Sequence, residues 1–478
     1  MLNPPSLRDY QIADLAFLIA NRRALYLNEP ATGKTPTVCV LMQYCWADEA
    51  MGTAWAMPKS LLEKNYYELL RFTDFTAADV CILDGTAAQI ESKLRSGAKV
   101  FLMGYRRFTL SWRDLPAHVQ FLCGDEVHLK GWGGASSANT AAMWEAMRTR
   151  FKRYVAMTGT LVSGRLDSAY PSIHAIEPRY YPNHEAFYNY HAYLDWDGNL
   201  IGWQNQDKLS KILGRHGIRR TFASVYGAEE KVIQTELCHM SEPHRKMFEE
   251  LKEQAYLELE KFIVDGTLPG VGFIRARQIQ EHPNLFPDLT APGSGRFVDA
   301  LPGVLPNKME RLAIHFEDHR RTGKPLILFS ALVPQQHQIK QLADACGLNL
   351  KVLNGQVAPK VRSEIDREYR EGRIQGLIGT PEVASVGYNW DRCGDQWLEH
   401  MIFVAMDYMD TSFLQAYRRG IRGKRPTPLL VRVMEYDDSI DQRVFDIIHR
   451  KSHEANKVDP TREVFNLSAY NRKEARAA

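Results

Sequence analysis

The feature that most constrains this chain is a series of short, almost continuously apolar runs separated by longer amphipathic stretches. Between residues 8 and 165 the runs are ALYLN (24–28), TAWAM (53–57), DVCIL (79–83), KVFLM (99–103), VQFLCGDE (119–126) and RYVAMTGT (153–160), each passing into polar or glycine-bearing residues. Strands that are apolar on both faces belong to parallel sheets covered on both sides, with working loops at their carboxyl ends. The pattern returns in PLILFS (325–330), LKVLN (350–354), IQGLIGT (374–380), HMIFVAM (400–406) and PLLVRVMEY (428–436), with helices predicted over 333–345 and 358–371. The chain therefore reads as α/β, with two doubly wound parallel-sheet lobes. The segment between them is rich in Tyr, His and charge, helical from Ser241 to Phe262, and loop-like over 283–306. The expected division is lobe one over 1–168, a helical accessory region and linker over 169–306, lobe two over 307–450 and a polar tail over 451–478.

Composition narrows the function classes. At 478 residues one ordinary core is exceeded, and 45% hydrophobic with 24% charged residues is a folded composition. A net charge of only +3 excludes a passive, nucleic-acid-coating protein, so any nucleic-acid contact has to be confined to one groove. The seven cysteines form no CxxC pair and read as reduced thiols of a cytoplasm. IADLAFLIA is too short for a bilayer and is interrupted by Asp14, so it reads as an amphipathic helix and no membrane partner is expected. His449 and His453 sit four apart without a further ligand and read as a solvated helix end. The aromatic run 190–203 reads as a packed hairpin or a partner surface.

Chemistry gathers at the strand ends. The first run enters NEPATGKT (28–35) and then a helix. There, backbone N–H groups at a helix start can hold phosphates, Lys34 can meet the β- and γ-phosphates, and the Thr35 hydroxyl can ligate Mg2+. Only Gly33-Lys34-Thr35 of the usual phosphate-loop pattern is intact, with Asn28 in place of its first glycine. A later strand delivers Asp125 and Glu126, suited respectively to metal binding and to orienting and deprotonating a water. MTGT places Thr158, Gly159 and Thr160 after the next strand. QAYRRGIR sets Gln415, Arg419 and Arg422 at spacings of four and three, predicting one helix face whose arginines could neutralise a departing phosphoryl group.

The order of these elements, from Leu7 to about Phe445, resembles the Swi/Snf-type branch of the superfamily-two helicases. LRDYQIADLAFL resembles the opening segment of that family, and NEPATGKT its phosphate loop. MPKSLLEKNYYEL, MGYRRF, DEVHLKG and MTGTLVSGRLDSAY are similar to its next motifs. IRRTFASV, IRARQIQEHPNLF, ILFSALVPQ, LNGQVAPKVRSEI, IGTPEVASVGYNW and QAYRRGIRGKRPTP are similar to the later ones. The resemblance implies two RecA-like lobes around ATP and Mg2+, with Gln11 on adenine and Asn28, Gly33, Lys34, Thr35 and Gly387 at the nucleotide. It also implies coupling through Thr158–Thr160. The duplex contacts it implies are Lys59, Ser60, Tyr105, Arg106, Arg107, Arg219, Gly355, Gln356, Thr380 and Asn389, joined by Glu382, with Arg219 and Arg220 equally able to brace the lobes.

Pro30-Ala31-Thr32, Ala384-Ser385 and Gly423-Lys424-Arg425 depart from the family pattern, and DEVH replaces the commoner DEAH. With no appended module readable, a compact, monomeric bacterial or bacteriophage motor on plain, forked or branched double-stranded DNA is expected. The alternatives are a strand-separating or branch-migration helicase, an RNA-directed ATPase, and a nucleotide-independent DNA-binding scaffold.

Overall fold

The computed structural model describes residues 6–461 except 129–131, 163–164, 229, 266–270, 284–285, 288–296, 300, 385–387, 408–409, 422 and 460. Two compact units divide the chain. One comprises Met1–Ala192, Trp203–Ala228 and Glu454–Arg462, the other Tyr193–Gly202, Glu229–His453 and Glu463–Ala478.

The first unit holds a seven-stranded parallel sheet built from β1 (Arg23–Tyr26), β2 (Gly52–Met57), β3 (Val80–Ile82), β4 (Val100–Gly104), β5 (Val119–Asp125), β6 (Arg153–Met157) and β7 (Gly217–Ile218), in the order β3-β4-β2-β5-β6-β1-β7. A helix lies between every two consecutive strands, as parallel pairing demands. β2, β4 and β6 are buried along their whole length, which is why they read as unbroken apolar runs. Register decides where the functional loops emerge. Tyr26 of β1 and Asp125 of β5 both lie opposite Met157 of β6, so the carboxyl ends of these three strands finish in one row. The loops after them must therefore share one edge of the sheet.

The second unit holds six parallel strands: β8 (Lys231–Cys238), β9 (Leu326–Ser330), β10 (Leu350–Leu353), β11 (Gly376–Gly379), β12 (His400–Ala405) and β13 (Leu429–Tyr436), in the order β8-β13-β12-β9-β11-β10. The expected fold class, two parallel-sheet α/β lobes of RecA-like type, is what the chain adopts.

Two expected boundaries differ. The region assigned to an accessory role supplies an edge strand to each sheet, β7 to one and β8 to the other. β7 is only two residues long, and β8 alternates between buried and exposed positions, so neither has the doubly buried signature. The polar tail expected from 451 is helical at its start. The helix Ile440–Val458 runs through, its polar residues masking an apolar face of Val444, Ile448, Ala455 and Val458. The rest of that tail, 460 and 462–478, and most of the expected loop 283–306 lie outside the described residues.

A fully buried cation organises the second unit. The Lys308 ammonium donates to Glu281 at 2.9 and 3.0 Å, to Asp441 at 2.7 Å and to the Val404 carbonyl at 2.8 Å. It thereby joins the end of the helix Val271–Glu281, the start of the helix Asn307–Thr322, β12 and the first turn of the helix Ile440–Val458. Burial and the facing Asp441 push Glu281 upward, and Lys308 opposes this. Removing the cation strands two carboxylates in the interior. Lys308→Met is expected to cost about 3–5 kcal/mol of stability, read from urea denaturation of the full chain.

Candidate functional site

The loop after β1 turns sharply into the helix Lys34–Glu49. Gly33 sits in the left-handed region (φ 76°, ψ 44°), and no side chain caps the helix it begins. A Cβ at Gly33 would lie 2.7 Å from Gln11 Nε2, so both conformation and space call for glycine. Lys34 folds back over the loop, its ammonium donating to the carbonyls of Asn28 (2.7 Å) and Glu29 (3.3 Å). Helix-start N–H groups with a lysine above them form a cradle for an anion.

Asp125 closes β5 and Glu126 follows it in the left-handed region (φ 54°). Asp125 is only 6% exposed and accepts from Asn65 Nδ2 at 3.2 Å, while the Tyr105 hydroxyl donates to its carbonyl. Burial pushes the Asp125 carboxyl upward, the Glu126 charge adds to this, and Lys34 and Asn65 pull it back. The influence of Lys34 on Asp125 means that the lysine of the loop and the carboxylate of β5 feel one another's charge. Glu126 keeps one carboxylate oxygen, Oε2, buried and without a hydrogen-bond partner among the described residues. His128 Nδ1 stands 3.5 Å from that oxygen and 2.7 Å from Thr158 Oγ1. Thr158 Oγ1 in turn accepts from Thr160 N at 3.0 Å. A chain of polar contacts thus runs from Glu126 through His128 into Thr158–Thr160. Gly159 permits the loop to close: a Cβ there would lie 2.7 Å from Pro30 Cδ.

These residues fit a magnesium nucleoside triphosphate. The cradle and Lys34 suit phosphates, Asp125 and the Thr35 hydroxyl are hard oxygen donors of the kind Mg2+ takes, and Glu126 Oε2 accepts no hydrogen bond among the described residues. Among the described residues, no group of three His, Cys, Asp or Glu side chains is placed to hold a metal by itself.

Beneath the loop lies a network that the motifs did not reveal. Asp14, fully buried, accepts from Asn28 Nδ2 (2.6 Å), the Tyr26 hydroxyl (3.2 Å) and Arg220 Nε (2.9 Å). Asn28, expected at the nucleotide, is itself 0% exposed with its amide nitrogen held by Asp14, so its side chain supports the loop from behind. Gln11, expected on adenine, is also buried. Its oxygen accepts from Arg8 N and its nitrogen donates to the Gly33 carbonyl, both at 2.9 Å. Arg219 donates to the carbonyls of Leu27 (2.9 Å) and Gly159 (3.3 Å) and pairs with Glu29 and Asp459. These partners all lie within the first unit, so the Arg219 guanidinium braces that unit internally, which is neither of the two roles expected for it, duplex contact or bracing of the lobe interface.

The duplex-contact residues divide. Ser60 and Arg106 are exposed and Arg107 is half-buried. Lys59 is exposed and pairs with Asp84 at 3.1 Å. Tyr105 is a correction. It is 8% exposed and packs on Trp132, because the first residue of the helix Tyr105–Ser111 turns inward. In the second unit Gly355, Gln356, Glu382 and Asn389 are exposed, and Thr380 is half-buried with its hydroxyl accepting from Val383 N.

The expected helix face does not run from Gln415 to Arg419. The helix Asp410–Tyr417 ends before Arg419, which sits in a 3-10 turn, 5% exposed, donating to the Ala384 carbonyl at 2.7 Å. Gly420 next to it packs closely against Met401, Leu398 and Leu429, leaving no room for a Cβ. Arg422, Gly387 and 129–131 lie outside the described residues.

No family model matches the chain, and no curated protein does. Among solved structures, the Sulfolobus solfataricus SWI2/SNF2 ATPase core in complex with dsDNA is similar at 15% identity, over 96% of this chain and 98% of that one, with a TM-score of 0.42. The Sulfolobus solfataricus SWI2/SNF2 ATPase core domain is similar at 16% identity, over 93% and 89%, with a TM-score of 0.41. The fold assignment rests on the two sheets themselves.

Removing the hidden anchor tests the loop's support. Asp14→Ala leaves Asn28, Tyr26 and Arg220 without their shared acceptor. It is expected to cost about 2–4 kcal/mol in chemical denaturation, whereas Ser60→Ala on the exposed face costs about 0.5 kcal/mol or less.

Proposed function

We propose that this chain is a DNA-stimulated ATPase, hydrolysing ATP to ADP and phosphate and using the cycle to move along double-stranded DNA. The observation that carries the reading is the shared row of strand ends: the Gly33–Lys34 cradle after β1, Asp125–Glu126 after β5 and Thr158–Thr160 after β6. Those three loops supply phosphate binding, water activation and a route for passing the outcome onward.

In the proposed cycle Lys34 and the helix-start N–H groups hold the β- and γ-phosphates. Thr35 and Asp125 are the residues that would hold Mg2+, which when bound neutralises phosphate charge. Glu126 takes a proton from the attacking water. Its Oε2, which accepts no hydrogen bond among the described residues and has only His128 Nδ1 near it at 3.5 Å, and its left-handed backbone suit a group held ready. His128 holds Glu126 in orientation and reports its state to Thr158. Arg419 and Arg422 of the second unit are proposed to stabilise charge on the departing phosphoryl group. Gln11, which lies against Gly33, is proposed to border the base.

Double-stranded DNA is the partner that the order of motifs implies. Ser60, Arg106, Arg107 and Lys59 from the first unit, with Gly355, Gln356, Thr380 and Asn389 from the second, are proposed to meet its phosphates without reading sequence. A monomeric motor in the cytoplasm of a bacterial or phage-infected cell suits the seven free thiols. No helix among the described residues is long and apolar enough to cross a membrane.

Steady-state ATPase rates with no nucleic acid, single-stranded DNA, duplex DNA and RNA test this reading. Duplex DNA is expected to give the highest rate, and Glu126→Gln to lower it by about 10²–10⁴-fold. Hydrolysis no faster than that of Glu126→Gln under every condition defeats the proposal. Preferential activation by RNA redirects it, and strand displacement on forked DNA makes the chain a strand-separating helicase.

A further inference from the structure

The phosphate loop of this chain is poor in glycine, and its shape has to be maintained by other means. A loop that turns its N–H groups toward an anion turns carbonyls away from it, and those carbonyls need donors. Ala31 stands in the left-handed region (φ 70°), a conformation that a residue with a Cβ adopts only when its surroundings hold it there. The structure supplies the donors from two tyrosines far apart in sequence. The Tyr10 hydroxyl donates to the Thr32 carbonyl at 2.8 Å, and the Tyr226 hydroxyl to the Ala31 carbonyl at 3.4 Å. Arg8 fixes Tyr226, its NH1 lying 2.7 Å from the hydroxyl and its guanidinium 5.2 Å from the ring centroid. Phe222 packs on the Tyr226 ring at 4.9 Å, and Phe222 N donates to Glu29 Oε2 at 2.7 Å, closing the brace onto the loop itself. Burial, with Tyr226 adding to it, pushes Tyr10 up to about 12, so its hydroxyl stays a donor across the neutral range.

We propose that Tyr10 and Tyr226 are positioning residues that clamp residues 31 and 32 in the anion-binding shape, doing by side-chain hydrogen bonds what additional glycines would otherwise do by backbone freedom. The proposal rests on the reading of this loop as an ATP site. It goes further in making nucleotide affinity depend on two hydroxyls that are spent on the loop's own carbonyls.

The test uses the full chain with Tyr10→Phe, Tyr226→Phe, both together, and both together with Ala31→Gly. A magnesium-bound fluorescent ATP analogue reports the dissociation constant. Each single change is expected to weaken binding about threefold to tenfold and the pair more than either, with the thermal midpoint nearly unchanged. Ala31→Gly is expected to recover most of the loss, because glycine adopts the left-handed conformation without a clamp. Amide hydrogen exchange over 28–33, where Thr32 N and Glu29 N are hydrogen-bonded, is expected to quicken in the paired variant and to be read without nucleotide.

Binding and exchange both unchanged in the paired variant overturn the clamp. Weakened binding that Ala31→Gly does not recover also overturns it, and assigns the hydroxyls to the ligand or to general stability. A wild-type chain that binds no nucleotide, yet shows faster exchange in the paired variant, upholds the clamp and defeats the ATP reading instead.

Discussion

A carboxylate at the end of a buried strand is costly to ionise, and in this chain Lys34 and Asn65 offset only part of that cost at Asp125, which stays raised to about 6. Burial and the neighbouring Glu126 both favour the neutral form of Asp125, while the lysine of the loop favours its anion. That opposition gives the first unit its chemical character. Because Tyr26 and Asp125 lie opposite the same residue of β6, the two loops leave the sheet at one level. The sheet's register thus fixes which charges face one another, and the loops finish the arrangement.

Around this pair the chain has built supports that differ from those its motifs suggest. The loop is held from beneath by Asp14 through Asn28, from the side by Glu29 with Arg219 and Phe222 N, and from above by Gln11. Pro30 rests against Gly159, so the turn after β6 is in direct contact with the loop after β1. Arg219, which pairs with Glu29 of the loop, also donates to the Gly159 carbonyl, within the segment Thr158–Thr160 that is linked through His128 to Glu126. A change in what Glu126 faces has a short physical path to the rest of the first unit.

What the sequence made legible depends on which forces act locally. β2, β4, β5 and β6 were readable because strands covered on both faces must be apolar nearly throughout. Lys34, Asp125 and Glu126 were readable because a strand end and a helix start fall within a few residues of them. β8 was not, since an edge strand with one open face alternates like many amphipathic segments. The Asp14–Arg220 pair was not, because its members stand 206 residues apart and only the lone charge in the apolar run of the first helix hinted at it. Tyr105 was assigned to the surface by its place in a motif, while its side chain completes the core against Trp132. The arginine spacing in QAYRRGIR suggested a continuous helix, whereas the helix ends at Tyr417 and Arg418–Gly420 tighten into a 3-10 turn.

Most rests on the Lys34 loop and Asp125 together forming a site for magnesium-bound ATP. Titration calorimetry of ATP into the Glu126→Gln chain tests this most directly, performed with Mg2+, with a chelator in place of Mg2+, and with Asp125→Asn added. The predicted result is one nucleotide per chain, with affinity that falls sharply on removing either the metal or the Asp125 charge. Absence of binding, or binding indifferent to both, would contradict it.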